Sequence, residues 1–353
     1  MNQRMDKLAE ALKDLGLQAF MVNKPENIRY LSGFTGGSDA SLLISSKGKF
    51  IFADPRYFQQ VQMECPDWKL IAEKPGGHDR LVKQCAGFKK IGFESHAITH
   101  QHYAELERLL PGRLVAHSDV VEKLRLVKDE YELEKLREAA RIGDEVFNEI
   151  CSMVTLGMTE KEIASQIDYQ IRRLGCEKES FDTIAVGGPN AALPHGKPGS
   201  RRLKSGDMLT LDFGGFFQGY AGDMTRTIVF RKASAKLHTR YDLLLQAQNK
   251  ALSMVRAGIS CREIDQAVRD HLKNYDLDTY FLHSTGHGVG LEIHESPRIS
   301  VHSDHVLAEN MVITIEPGIY FSDWGGIRIE DMAIVKNGGC EVITRSDKNL
   351  III

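Results

Sequence analysis

Four acidic residues lie where acids are seldom found. Asp and Glu are depleted in strands, yet Asp212 sits inside LTLDFG, Asp223 opens GDMTRTIVF, Glu316 sits inside ITIEPGIYF and Glu330 inside GIRIEDMAIV. A buried ionised carboxylate costs several kcal/mol unless it is paired or bound to a metal. Between Asp212 and Asp223 lies FGGFFQGYAG, a Gly-rich stretch suited to a hairpin. A turn centred near residues 217 and 218 predicts Asp212 opposite Asp223 on one face. Glu316 and Glu330 flank PGIYFSDWGGIRI, where a turn centred near Asp323 predicts a second facing pair. Like charges set opposite each other repel, so two such pairs point to a cation. Nitrogen donors lie nearby in sequence: His283, His287 and His294 in FLHSTGHGVGLEIHE, and His195 in ALPHGKPG. Gly286 and Gly288 flank His287 and would let the backbone come close to something. Four carboxylates and one or more histidines match a mixed oxygen and nitrogen site for divalent metals. Four negative charges balance two such ions, and two carboxylate-bridged ions activate water for hydrolysis. Exposed acids on edge strands are the competing reading.

The chain that must position these groups has 353 residues, which suggests about two domains. Its first part alternates helix and strand signals. Asp6 to Leu15 is apolar at helical spacing and stops at Gly16, AFMV at 19–22 reads as a buried strand, and SLLIS and KFIFA form a hairpin around Ser46, Lys47 and Gly48. KKIGFE and ITHQHYAELERLL add a strand and a helix, so an α/β unit ends near residue 120. A long amphipathic helix within RLVKDEYELEKLREAARIGDEVFNEICSMV opens the second part. That part repeats itself: residues 151–163 and 252–264 align at a constant offset of 101 residues. Gly157 and Gly258 are expected to end one helix each. Thr159 and Ser260 are expected to cap the next, with Glu162 and Glu263 completing capping boxes. A duplicated domain tends to build a site where its halves meet.

Composition removes other classes. Lys plus Arg number 45 and Asp plus Glu 48, a net charge of -3, so no global basic field is available for nucleic acid. No apolar stretch approaches the roughly 20 residues of a membrane span. The six cysteines are scattered without a C-x-x-C pair, which argues against a disulfide framework or zinc knuckle and makes a reducing cytoplasm the simplest location. Walker A, G-x-G-x-x-G, H-E-x-x-H and G-x-S-x-G patterns are all missing.

ALPHG, LTLDFGGFFQGYAGDMTRT, FLHSTGHGVGLEIHE, ITIEPGIY and GIRIED together resemble the pita-bread metallopeptidases, in the branch holding Xaa-Pro dipeptidase (prolidase) and aminopeptidase P. The resemblance covers residues 125–353 strongly. The first 120 residues are similar, less closely, to the creatinase-type N-terminal domain of that branch. It implies an α/β creatinase-like domain at 1–122 and an α+β pita-bread catalytic domain at 123–353 with internal pseudo-twofold duplication. It also implies Asp212, Asp223, His287, Glu316 and Glu330 as ligands of two divalent ions (Mn, Co or Zn) per subunit. Asp223 and Glu330 would bridge the ions, Asp212 would complete one shell, and His287 and Glu316 the other. Glu316 would accept the proton of the attacking water. His195, His283 and His294 match the three histidines that hold the scissile carbonyl and move protons, and Arg328 fits a support behind the ligands. The run His294-Glu-Ser-Pro-Arg298 resembles the prolidase pattern in which an arginine meets the substrate's free carboxylate. The expected partners are a short proline-containing peptide and a second copy of the chain as a homodimer, with no nucleic acid and no membrane. A non-catalytic peptide- or protein-binding member of the same fold is the alternative.

Overall fold

The alternating signals of the first part fold as a six-stranded sheet. The computed structural model describes residues 2–74 and 77–353, and its contacts divide the chain into the units Met1–Arg125 and Leu126–Ile353. In the first unit the strands run in the spatial order Lys69–Ala72, Gly48–Ala53, Ala40–Ser45, Ala19–Val22, Ile91–Glu94, Leu114–His117. Ala40–Ser45 and Gly48–Ala53 form a hairpin with Ser45 opposite Gly48. The outer strands join in parallel, as helical crossovers allow. Phe50, Phe52 and Phe93 pack with Met21 and Leu43 in one apolar layer.

The second unit is built twice. Helix Glu130–Met153 leads into helix Glu160–Arg173, and helix Ala235–Met254 leads into Cys261–Lys273. Thr159 and Ser260 cap the second helix of each pair, with Glu162 and Glu263 completing the boxes. Each cap also bridges to a later segment, Thr159 to Arg202 and Ser260 to Val306. Gly157 and Gly258 take nearly the same backbone angle, φ 88 and φ 87. They do not end the preceding helices as the sequence suggests. Those helices stop earlier, at Val154 and Val255, which turn extended, and the glycines redirect the chain into the next helix.

The two halves contribute two sheets that carry the acids. Ile184–Gly187, Met208–Phe213 and Met224–Val229 make one. Gly286–Gly288, Glu295–Ile299, Val312–Ile315, Asp331–Lys336 and Gly339–Val342 make the other, and Gly318–Phe321 pairs with Gly325–Arg328 beside it. The Glu316–Glu330 hairpin has the expected register. Ile315 pairs with Asp331 and Gly318 with Arg328, which leaves Glu316 across from Glu330 in the gap between two ladders. The Asp212–Asp223 hairpin differs by two residues. Asp212 pairs with Thr225, because the turn falls on Gln218 and Gly219, both with positive φ (47 and 85), and closes Phe217 on Tyr220. A two-residue slip keeps the side-chain parity, so Asp212 and Asp223 share a face diagonally. The glycines around His287 also have a clear use. A Cβ on Gly286 would lie 1.9 Å from the Thr314 carbonyl oxygen, and one on Gly288 2.3 Å from that of Ser296. What the backbone approaches there is its neighbouring strands.

Gly286→Ala is therefore expected to cost roughly 1–3 kcal/mol of stability, the scale of overpacking. Guanidinium unfolding checks this, and an unchanged midpoint with an unchanged slope would contradict the packing argument.

Candidate active site

All ten residues singled out from the sequence line one cavity of about 1270 Å³. The strands that carry the acids are buried along their length, Met208–Phe213 and Met224–Val229 without an exposed residue. Apolar neighbours therefore drive the strands inward, and the acids go with them. Asp212, Asp223 and Glu330 are buried, and Glu316 is partly so. Asp223, His287 and Glu330 each offer an atom within 4.8 Å of the others, the one such group among the described residues. His287 Nε2 lies 3.5 Å from Asp223 Oδ2 and 3.4 Å from Glu316 Oε1.

The histidine is held neutral. Its Nδ1 donates to the Gly288 carbonyl at 3.0 Å, so the lone pair of Nε2 faces the acids. Burial pushes its pKa down to about 4. The acids move the other way. Burial, then the charges of Glu330, Asp212 and Glu316, hold the Asp223 carboxyl well above the usual range. Burial, then Glu316 and Asp212, do the same to Glu330. Glu316 is pushed up to about 7 by burial, against the pull of Arg328.

Among the described residues Arg328 is the one cation bonded to the acid cluster. Its Nη2 donates to Asp212 Oδ2, its Nη1 to the Tyr320 hydroxyl at 2.7 Å and the Pro194 carbonyl at 3.1 Å, and its Nε to Thr225 Oγ1 at 3.1 Å. Thr225 Oγ1 in turn donates to Glu330 Oε2 at 2.7 Å. Asp212 Oδ1, by contrast, is buried with no hydrogen-bond partner. Four converging carboxylates, a neutral imidazole nitrogen and an orphaned carboxylate oxygen fit divalent cations and leave one guanidinium short of neutralising the cluster.

The remaining histidines sit differently. His283 Nε2 accepts from the Tyr320 hydroxyl at 2.9 Å while Nδ1 donates to the Ser284 carbonyl, and burial lowers its pKa to about 4. The His294 ring stands edge-on to His287, centroids 4.4 Å apart. His195 is exposed on its loop, and no hydrogen bond holds its ring among the described residues. Arg298 pairs with His287 across the ladder and spends only its Nε, on Ser284 Oγ at 3.3 Å. Sequence reasoning missed Tyr320 and Thr225. The available signal was position alone: both lie inside the acid-bearing strand runs.

A family model described as metallopeptidase family M24 matches residues 134–337, and one described as the creatinase/prolidase N-terminal domain matches residues 4–127. An Xaa-Pro dipeptidase of Pyrococcus horikoshii is 33% identical, covering 99% of this chain and 99% of its own. Among solved structures, an Xaa-Pro dipeptidase from Bacillus anthracis superposes with a TM-score of 0.96 at 37% identity over 99% of both chains. An X-Pro aminopeptidase from Thermotoga maritima does so with a TM-score of 0.90 at 34% identity, over 98% of this chain and 100% of that one.

Protons and metal compete for these acids, which gives a pH dependence. The raised pKa of Glu316 means that its proton favours the metal-free fold, a contribution lost as pH rises through about 7. Metal binding runs oppositely, since ligands must be deprotonated. Mn(II) at a hundred times its Kd is expected to raise Tm by roughly 5–10 °C at pH 8, and by clearly less at pH 6. Thermal scans with and without metal check this. A metal-induced shift that is absent, or larger at pH 6, would contradict it.

Proposed function

The chain belongs to metallopeptidase family M24, and from that premise we propose that it is a dinuclear metal-dependent Xaa-Pro dipeptidase whose chemistry is carried by residues 123–353. The observation that carries this is the convergence of Asp223, His287 and Glu330 with Asp212 and Glu316 on one cavity. Asp212, Asp223, His287, Glu316 and Glu330 would hold the two ions. Two divalent ions held there would lower the pKa of water and so supply hydroxide near neutral pH. The metal is manganese, cobalt or zinc, and the enzyme works as a homodimer in a reducing cytoplasm.

The chain's own residues do the rest. Arg328 orients Asp212 through Nη2 and backs Glu330 through Thr225. Glu316 takes the proton released by the attacking water. His294, beside His287, faces the scissile carbonyl and stabilises its developing negative charge. His283 acts with the Tyr320 hydroxyl bonded to it. His195, at the mouth, carries a proton to the leaving proline nitrogen. Phe181, Ile184 and Ile293 give the cavity an apolar wall suited to a proline ring.

Dipeptides are favoured by Arg298. Its guanidinium lines the cavity on the same face as His287, and both Nη atoms are without a hydrogen bond among the described residues. Such a fork grips a carboxylate with two parallel bonds. A free C-terminal carboxylate one residue beyond the scissile bond meets it, and a longer peptide would bring an amide instead. The non-catalytic alternative has no use for a complete set of five metal-binding side chains.

Asp223→Asn and Glu330→Gln are expected to lose metal and activity together, whereas His294→Ala keeps its metal and loses roughly a hundredfold in turnover. Metal analysis beside Ala-Pro hydrolysis checks both. A metal-replete Asp223→Asn with near-normal turnover, or chelator-resistant hydrolysis by the wild type, would overturn the dinuclear assignment.

Arg298→Ala is expected to cost Ala-Pro hydrolysis on the order of 2 kcal/mol in transition-state binding and barely to change cleavage of Ala-Pro-Ala. Equal losses on both substrates, or none, would make this an aminopeptidase in preference.

A further inference from the structure

Several buried acids have no part in the mechanism above, and Glu160 is one of them. Glu160 is the first residue of helix Glu160–Arg173, and its side chain has no exposed surface. Among the described residues no lysine or arginine pairs with it. Its partners belong to one segment: the backbone N–H of Gly187 donates to Oε1 at 2.8 Å, the N–H of Gly199 to Oε2 at 2.9 Å, and Asn190 Nδ2 to both oxygens at 3.0 and 3.1 Å. The helix's own N-terminal amides point the same way. Glu160 N donates to the Arg201 carbonyl and Lys161 N to that of Gly199, both at 3.1 Å. A single carboxylate thus closes the two ends of a loop, 187–199, whose outer part carries His195.

The first part of that loop is also held by the sheet, where Gly187 pairs with Leu209, and by the core, where Ala191 is buried. Arg328 reaches the Pro194 carbonyl, and the segment turns on itself through Leu193 N to Asn190 O and Gly196 N to Leu193 O. His283 has Tyr320 and Ser284 to orient its ring, but among the described residues the His195 ring has no hydrogen bond of its own. Its location depends on its backbone. The other half of the duplication offers a parallel. Buried Asp265, on helix Cys261–Lys273, accepts from Thr285 N at 2.9 Å and Val301 N at 3.0 Å, at the base of the segment that carries His287 and His294. There Arg269 shares the charge.

We propose that Glu160 is the positioning residue for His195: a buried carboxylate that pins both ends of the 187–199 loop and so sets where that imidazole stands in the cavity. The catalytic consequence rests on the reading of His195 as a proton carrier, and the loop-anchoring claim does not. Glu suits the task because its two carboxyl oxygens accept from all three donors. A glutamine would turn an amide N–H toward a backbone N–H.

Two measurements on the metal-loaded enzyme test this. Hydrogen exchange in Glu160→Gln should rise at least tenfold in peptides spanning 187–199, with metal content and exchange in strands Met208–Phe213 and Asp331–Lys336 unchanged. Ala-Pro turnover should fall about tenfold in Glu160→Gln, with KM within a factor of two. It should fall no further when Glu160→Gln is added to His195→Ala, because residues acting through one group are not additive. Asn190→Ala removes one donor without stranding the charge, and should show the same pattern more weakly if Glu160→Gln does not fold. Unchanged loop exchange would overturn the anchor. Independent, multiplying losses in the double variant would overturn the link to His195. If the wild type hydrolyses no Xaa-Pro dipeptide, the proposed function fails while the exchange result still decides the anchor.

Discussion

Four carboxylates drawn out of water around a single cavity set the terms for everything near them. Asp212, Asp223, Glu316 and Glu330 lie on or directly beside strands that are buried along their whole length, so the fold cannot turn the acids outward without exposing its core. Removing a carboxylate from water costs several kcal/mol even after relaxation. Arg328, bonded to Asp212, answers one charge. The raised carboxyl pKa values and the orphaned Asp212 oxygen are two signs of the same imbalance. Divalent cations would relieve both, and the cavity that remains is large enough for a short peptide.

The duplicated architecture explains how so unfavourable a cluster is assembled. Each half supplies a hairpin with two acids, and the hairpins meet where Glu330 N donates to the Thr225 carbonyl at 3.1 Å and Thr227 Oγ1 exchanges hydrogen bonds with both backbone groups of Arg328. Behind this seam Arg226, almost wholly buried, bonds the Thr225 and Glu330 carbonyls and Asp331. Asp331 is also bonded by Gln248, Thr344 and Lys348. A dense buried network of this kind rigidifies what it touches. Such rigidity is what a metal centre asks of its ligands.

Much of this was legible in the chain. Acids inside apolar strand runs are conspicuous because strand composition is otherwise so restrictive, and the Glu316–Glu330 register follows from a turn centred on Asp323. The Asp212–Asp223 register was legible only to within two residues. The turn went to Gln218 and Gly219, which both take positive φ, and not to the arithmetic midpoint. Tyr320, Thr225 and Glu160 were not legible as part of the site. A tyrosine or threonine in a strand is ordinary, and an acid in a helix's first turn is expected for its dipole. Their roles come from partners many residues away. The edge strands Lys69–Ala72 and Leu114–His117 were missed for a related reason: both are short and only partly buried.

We propose that this cluster holds two divalent ions between its two hairpins. Anomalous diffraction at the manganese edge, on crystals of the full chain equilibrated with Mn(II), measures it directly. Two peaks are predicted, both in contact with Asp223 and Glu330, one also with Asp212 and the other also with His287 and Glu316. A single peak, or a pair away from these side chains, would contradict the account.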